Sequence, residues 1–431
     1  MDFFQLVAAL ITLGATFSFI NHRFIKLPTT IGLMLLGMAS SLVMVLIGEF
    51  EPRLEQRAAE ILSSIDFNKT VMHGMLGFLL FAAALHVNVT ELRKHRVIIA
   101  VLATIGVVVS TLLVGGMVHV ALGALGHSIP LAFCLLFGAL ISPTDPIAVL
   151  GILKHVGAPK ELEMKIAGES LFNDGVAVVA FLGLLQIVTG GGEFDLVFLS
   201  RLFVQEAVGG AVYGFVIGWI ALAMLRQVDD YRVEVLISLA VAAGGYALAY
   251  AIHVSGPIAM VVAGLFIGHE ARAGAMSEKT REHLDKFWEL IDEILNAVLF
   301  VLIGLEGLIL SFTYDLVIPG LLAFPLMILA RFVAVAAPVT LLRRSRPFSR
   351  GAVRILTWGG LRGGVSIALA LSIPTHYADG TVVVEREILL TMTYVVVVIS
   401  IALQGLTIGP LVRRTIAQVK AEEQAEADAS A

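Results

Sequence analysis

The stretch Gly168-Glu169-Ser170-Leu171-Phe172-Asn173-Asp174-Gly175-Val176-Ala177 puts two carboxylates and an amide near the head of a segment that is otherwise apolar through Val188. An ionised carboxylate is costly in hydrocarbon, so one kept in such a segment faces a partner, an ion or a proton path. Asp174 reads as the working residue of this segment.

The rest of the chain has the same character. Of its 431 residues, 58% are hydrophobic and 15% charged, where a soluble protein of this length carries about 25% charged residues. Mean hydropathy is +0.93, and the apolar residues come in many runs of about twenty, the length of one bilayer crossing. The fold class is therefore an all-α polytopic membrane protein with the lipid bilayer as its solvent. The net charge of -5 says little about partners, because the placement of Lys and Arg carries the information in such a protein. No nucleic-acid partner and no cofactor are expected, and the lack of a Walker A loop argues against ATP-driven pumping. The single cysteine, Cys134, lies in an apolar run and reads as a core thiol, which leaves no intrachain disulfide and no Cys-based metal site. Met1-Asp2-Phe3-Phe4 has no basic n-region, and the run after it ends at Asn21-His22-Arg23 without a small-residue cleavage pattern, so the first run reads as a membrane helix.

Taking about twenty apolar residues per crossing, helices fall near 3–20, 27–47, 70–89, 97–122, 129–153, 164–189, 197–225, 233–253, 256–269, 287–311, 317–342, 353–374 and 386–412, which is thirteen spans. Of the 29 Lys and Arg residues, 22 lie on alternate connections, whereas the intervening ones hold only Arg53, Arg57, Lys69, Arg201 and Arg386. A miscounted helix would scramble that alternation. The positive-inside rule then puts the N-terminus outside and the C-terminus in the cytoplasm. The connections are short, leaving 1–414 as one transmembrane domain and 415–431 as a short acidic cytoplasmic tail, read as disordered. The outer connection 48–69 carries Pro52 and mixed charge. The inner one, 270–286, runs into Phe287-Trp288 and is expected to lie along the interface, where Trp is favoured.

Two spans carry breaks. Gly138-Ala139-Leu140-Ile141-Ser142-Pro143-Thr144-Asp145-Pro146-Ile147-Ala148 has two prolines three residues apart, which remove backbone donors and unwind the helix. Irregular backbone at membrane depth is tolerated where it is buried in protein or lines a water-filled cavity, as in the broken helices of secondary transporters. Trp358-Gly359-Gly360-Leu361-Arg362-Gly363-Gly364-Val365-Ser366 has four glycines around one arginine, which also weakens a helix. These are spans five and twelve. With span seven as a linker, spans 1–6 and 8–13 correspond in opposite orientations, the pattern of two inverted six-helix repeats with broken helices crossing at the midplane. The correspondence is positional, since the two stretches share no convincing identity.

Counted from the cytoplasmic ends of their spans, Asp145, Asp174, Arg362 and Arg331 all lie roughly 12–17 Å deep, near the middle of the hydrocarbon. Ser170 and Asp174 are four residues apart and share a helix face, with Glu169 and Asn173 on the adjacent stripe. Asp174, Asp145, the Ser170 and Thr144 hydroxyls and carbonyls freed in span five are hard oxygen ligands suited to a small alkali cation such as Na+. Glu169 needs a neutraliser, either Arg331 or Arg362, and such a pair holds helices in register. Arg362 alternatively offsets the negative ends of the broken helices. One carboxylate takes a cation or a proton but not both, so competition at Asp174 suffices for exchange. His73, His86, His119 and His253 lack the spacing of a metal pair and read as packing or interface residues. Glu289, Asp292 and Glu293 either line a cytoplasmic funnel or are solvated, and Glu306 lies deeper.

Together, Thr144-Asp145-Pro146, Glu169-Ser170-Leu171-Phe172-Asn173-Asp174-Gly175, Arg331 and Gly359-Gly360-Leu361-Arg362-Gly363-Gly364 resemble the monovalent cation/proton antiporter superfamily, in its NhaP-like branch related to animal sodium/proton exchangers. The resemblance covers most of the chain. It implies thirteen helices, a homodimer, and an elevator-like motion of a core bundle, including the spans near 129–153, 164–189, 317–342 and 353–374, against a dimerisation bundle. It makes Asp174 the ion and proton carrier, Asp145, Thr144 and Ser170 ligands or supports, Asn173 the neutral partner in the motif, and Glu169 with Arg331 a stabilising pair. Electrogenic relatives carry two aspartates where this chain has Asn173-Asp174, so one-for-one exchange is implied. The long regulatory tail of the animal proteins is missing, which points to a prokaryotic inner (plasma) membrane. Potassium/proton exchange is the alternative within transport. An intramembrane aspartyl protease built on the two aspartates is the enzymatic alternative, but neither aspartate sits in a Gly-x-Gly-Asp or Tyr-Asp context. A passive channel is disfavoured because nothing suggests a ring-like filter.

Overall fold

A computed structural model describes residues 3–63, 66–190, 196–310, 312–342, 348, 351–377 and 379–430. Arg343, Arg344, Arg346 and Arg350 of one basic connection lie outside them, as does the last residue of the tail. The regular secondary structure of the described residues is helical, apart from one isolated bridge between His376 and Val382.

In chain order the main helices are α1 (Phe3–Ile20), α2 (Thr29–Gly48), α3 (Pro52–Ser63), α4 (Lys69–His86), α5 (Arg96–Ala124), α6 (Leu131–Leu140), α7 (Ile147–Val156), α8 (Lys160–Gly190), α9 (Ser200–Leu225), α10 (Tyr231–Ala251), α11 (Gly256–Glu270), α12 (Glu278–Glu306), α13 (Tyr314–Leu342), α14 (Ala352–Trp358), α15 (Gly364–Leu371) and α16 (Glu385–Val419). Eight helices among the described residues are long and apolar enough to cross a membrane. Local chemistry marks several of the starts. Asp230 caps α10 by accepting the Arg232 N–H at 2.9 Å, and Ser255 and Ser277 cap α11 and α12 at the Ile258 and Thr280 N–H groups, both at 3.4 Å.

Packing sorts the helices into two groups. In one, α2 lies along α12, and α11 is clasped between α4 and α9. In the other, α5 packs on α6 and on α13, α13 on α16, and α8 runs through the middle against α6. The two broken stretches, α6–α7 and α14–α15, belong to this second group.

The structure departs from the sequence reading in three places away from the breaks. The connection 48–69 holds an amphipathic helix, α3, with Leu62 buried and Leu54 and Ile61 exposed. Trp288 is fully buried and not interfacial: its indole N–H donates to Ser238 Oγ at 2.9 Å, and its ring lies 4.8 Å from Phe81. Burial removes the amphipathic advantage of indole at a headgroup layer, and the hydroxyl supplies the partner that a buried N–H requires. The acidic tail continues α16 as helix to Ser430, in keeping with the high helix propensity of its Ala and Glu residues. Cys134 is buried among apolar side chains.

Candidate ion-binding site

The first break runs from Ile141 to Pro146, between α6 and α7, and the second from Gly359 to Gly363, between α14 and α15. They touch through their backbones, with the Asp145 N–H donating to the Leu361 carbonyl at 2.8 Å. Glycine is needed for this approach. A Cβ on Gly363 would lie 2.7 Å from Asp145 Cβ, and one on Gly360 would lie 2.8 Å from Arg331 Nε.

Arg362 occupies the crossing. Its side chain is fully buried, and its Nη1 donates to the carbonyls of Ser142 at 2.6 Å and Pro143 at 2.9 Å. Those carbonyls lie in the stretch that the prolines unwind, so they are taken by a guanidinium. This corrects the expectation that they are open to a cation: a buried arginine at the negative end of α6 claims them more strongly than a transient ion could. The Arg362 N–H donates to Ser400 Oγ at 3.0 Å. Ser400 donates to Gln404 Oε1 at 2.5 Å, and Gln404 Nε2 donates to the Trp358 carbonyl at 2.9 Å. Ser400 and Gln404 were not picked out in the sequence, although two polar residues four apart in an apolar span are a readable signal.

Glu169 pairs with Arg331, not with Arg362. Nη1 bonds Oε1, Nη2 donates to Oε2 at 2.9 Å and to the Leu356 carbonyl at 3.1 Å, and both side chains are buried. The pair ties α8 to α13 and to the end of α14.

One turn along α8, Asn173 Nδ2 donates to Thr144 Oγ1 at 2.8 Å, and the Thr144 and Ser170 hydroxyls are 2.9 Å apart. The Thr144 N–H points back at Asn173 Oδ1, at 3.4 Å. Asn173 and Ser170 thus fix the first break against α8. Asp174 and Asp145 line one cavity of about 2080 Å³, together with Ser170 and Thr144. Its lining also includes Lys26, Arg281 and Arg413. Asp145 lies two residues before the start of α7 and its side chain packs against Gly363, the residue before α15, so its carboxylate sits near two helix N-termini, whose partial positive charge favours an anion. Asp174 lies within α8 and has no such support.

Among the described residues no three carboxylate, imidazole or thiol groups converge as a metal cage. Two carboxylates with hydroxyls beside them suit a cation that is held and released.

The histidines lie apart from one another. His73 packs edge-on to Tyr250 at 4.8 Å, His119 Nδ1 lies 3.0 Å from the Ile129 carbonyl, and His86 bridges the Ala82 and Asp285 carbonyls at 2.7 and 3.2 Å. Glu306 is buried but outside the cavity.

A model of the sodium/hydrogen exchanger transmembrane family matches residues 7–414. The chain belongs to the sodium/hydrogen exchanger family. Within that family it is 50% identical over 418 residues to the Na(+)/H(+) antiporter NhaP of Pseudomonas aeruginosa, covering 96% of this chain and 97% of the relative. It is 32% identical over 404 residues to the Na(+)/H(+) antiporter NhaH of Halobacillus dabanensis, covering 91% and 93%. Its fold matches that of the sodium proton antiporter MjNhaP1 from Methanocaldococcus jannaschii at pH 8, with a TM-score of 0.76 and 21% identity over 96% of this chain and 99% of that one.

Proposed function

We propose that the protein exchanges sodium or lithium ions for protons across a prokaryotic plasma membrane, with Asp174 carrying either the cation or the proton. The observation that carries this reading is the crossing of two helix breaks, bonded from Asp145 to Leu361, beside two carboxylates in one cavity. The names of the relatives support sodium and protons as the ions, and transport over proteolysis.

In this reading Asp145, Ser170 and Thr144 ligate or support the cation. Asn173 holds Thr144 in place, and its neutrality leaves one exchangeable charge in the motif, which makes exchange electroneutral. Glu169–Arg331 is a structural pair, and Arg362 compensates the broken-helix ends. The chain crosses thirteen times as two inverted repeats, with the N-terminus outside. The cavity, reaching Lys26, Arg281 and Arg413, then opens to the cytoplasm. The group containing both breaks is the core bundle, which slides against the other group, the dimerisation bundle of a homodimer.

The test is transport in proteoliposomes with an internal pH dye, adding sodium, lithium or potassium with and without a potential clamp. Sodium- or lithium-driven proton movement, lost in Asp174→Asn and indifferent to voltage, is expected. Proton-coupled transport surviving in Asp174→Asn removes that residue as the carrier, and the absence of proton flux with every cation tried sinks the exchange reading.

A further inference from the structure

The cavity wall contributed by α12 carries polar groups with no role in the exchange described above. Asp292 and Asn296 are four residues apart, share one helix face and line the cavity. Asn296 is only 5% exposed, yet its amide oxygen has no hydrogen-bond partner. A buried amide oxygen without a partner is a costly arrangement, and native interiors rarely keep one. Asp292 is half-buried and close enough to interact with the Asn296 amide, His86 and Asp145. Among the described residues no lysine or arginine pairs with it: Lys286 and Arg281, the cations nearest in sequence, bond to Glu282 and Glu278. On the core side, Ser366 in the first turn of α15 is 1% exposed, has a hydroxyl without a partner, and lines the same cavity. The two walls meet close by, since a Cβ on Gly364 would lie 2.9 Å from Leu299 Cγ, about one turn along α12 from Asn296.

We propose that Asp292, Asn296 and Ser366 form a second cation station, which holds a partly hydrated monovalent cation on its way to Asp174 and Asp145. One carboxylate, one amide oxygen and one hydroxyl are hard neutral or singly charged ligands, and the vacant coordination is filled by cavity water. A single carboxylate suits a monovalent ion better than a divalent one. Asp292 and Asn296 lie on α12, in the other helix group from Asp174, so the ion is passed from one bundle to the next. The proposal rests on the exchange reading of the site.

The test is the apparent KM for sodium in proteoliposomes with the cavity face outward. Asn296→Ala removes a ligand without changing charge and should raise KM by about five-fold while leaving kcat within about two-fold. Asp292→Asn should raise it further. Asn296→Asp keeps the size and an oxygen ligand, so its KM should be at or below that of the wild type, which guards against a merely misfolded alanine variant. A wild-type KM in Asn296→Ala, a loss of kcat with KM unchanged, or a KM above wild type in Asn296→Asp overturns the station. So does an equal rise in Glu289→Gln and Asp292→Asn, because the exposed Glu289 on the same helix would then show a diffuse field and not a site. If the wild type shows no cation-driven proton movement, the exchange reading itself has failed, and that is seen before any variant is compared.

Discussion

Glu169 and Arg331 show how far single residues can be read. Depth along a helix follows from counting at about 1.5 Å per residue, which put Arg331 and Arg362 in the same layer and left both as partners for Glu169. Direction around the helix axis decides between them, and it is set by packing. Arg331 faces Leu356 and Glu169, whereas Arg362 is turned toward Ser142 and Pro143. A buried pair of this kind is expensive to break and cheap to replace. Glu169→Gln, which strands the arginine, should cost about 3–5 kcal/mol, read as a lower unfolding temperature in detergent. A double replacement by apolar residues of similar size, Glu169→Leu with Arg331→Met, should recover most of that loss and restore transport. Recovered stability without recovered transport would mean that the pair takes part in the ion cycle and is not only a strut.

At the scale of elements, the breaks were legible because proline and clustered glycine act on the backbone directly, whatever surrounds them. What they bond to was not, since the Asp145–Leu361 contact joins residues far apart in the chain, and the Ser400–Gln404 support comes from a third helix. Trp288 was misread for a related reason: its place at the head of an apolar run fits an interface, and only the neighbouring helices bearing Phe81 and Ser238 bury it. The crossing should tolerate no added bulk. Gly363→Ala forces a Cβ against Asp145, and overpacking of this kind costs about 1–3 kcal/mol. Transport should fall at least ten-fold, about 1.4 kcal/mol in the barrier, as the two breaks are pushed apart. Gly116→Ala on α5, where a Cβ meets nothing within 4 Å, should transport normally. If Gly363→Ala also transports normally, close contact of the breaks is not required.

For the whole molecule, sorting the helices into two groups makes relative motion testable, because a covalent link between the groups must stop any cycle that slides one along the other. Hydropathy placed the helices in order but could not say which pack together, since every apolar run offers similar surface on all sides; only the family resemblance grouped them. Gly175 on α8 and Ile258 on α11 meet across the boundary. A Cβ on Gly175 would collide with Ile258 Cγ1, which puts two cysteine Cβ atoms there within the range of about 3.5–4.5 Å that a disulfide needs. Cys134 is the one native cysteine and is buried, so a Cys134→Ala background leaves only the engineered pair. Gly175→Cys with Ile258→Cys should transport when reduced, lose transport on oxidation, and regain it on adding reductant, whereas Gly175→Cys alone should respond to neither. Full transport by the oxidised pair, with cross-linking verified by mass, would require the ion to pass between rigid bundles. Alternating access would then have to come from local rearrangement at the two breaks, which can bend about Pro143, Pro146 and the glycines without moving α8 relative to α11.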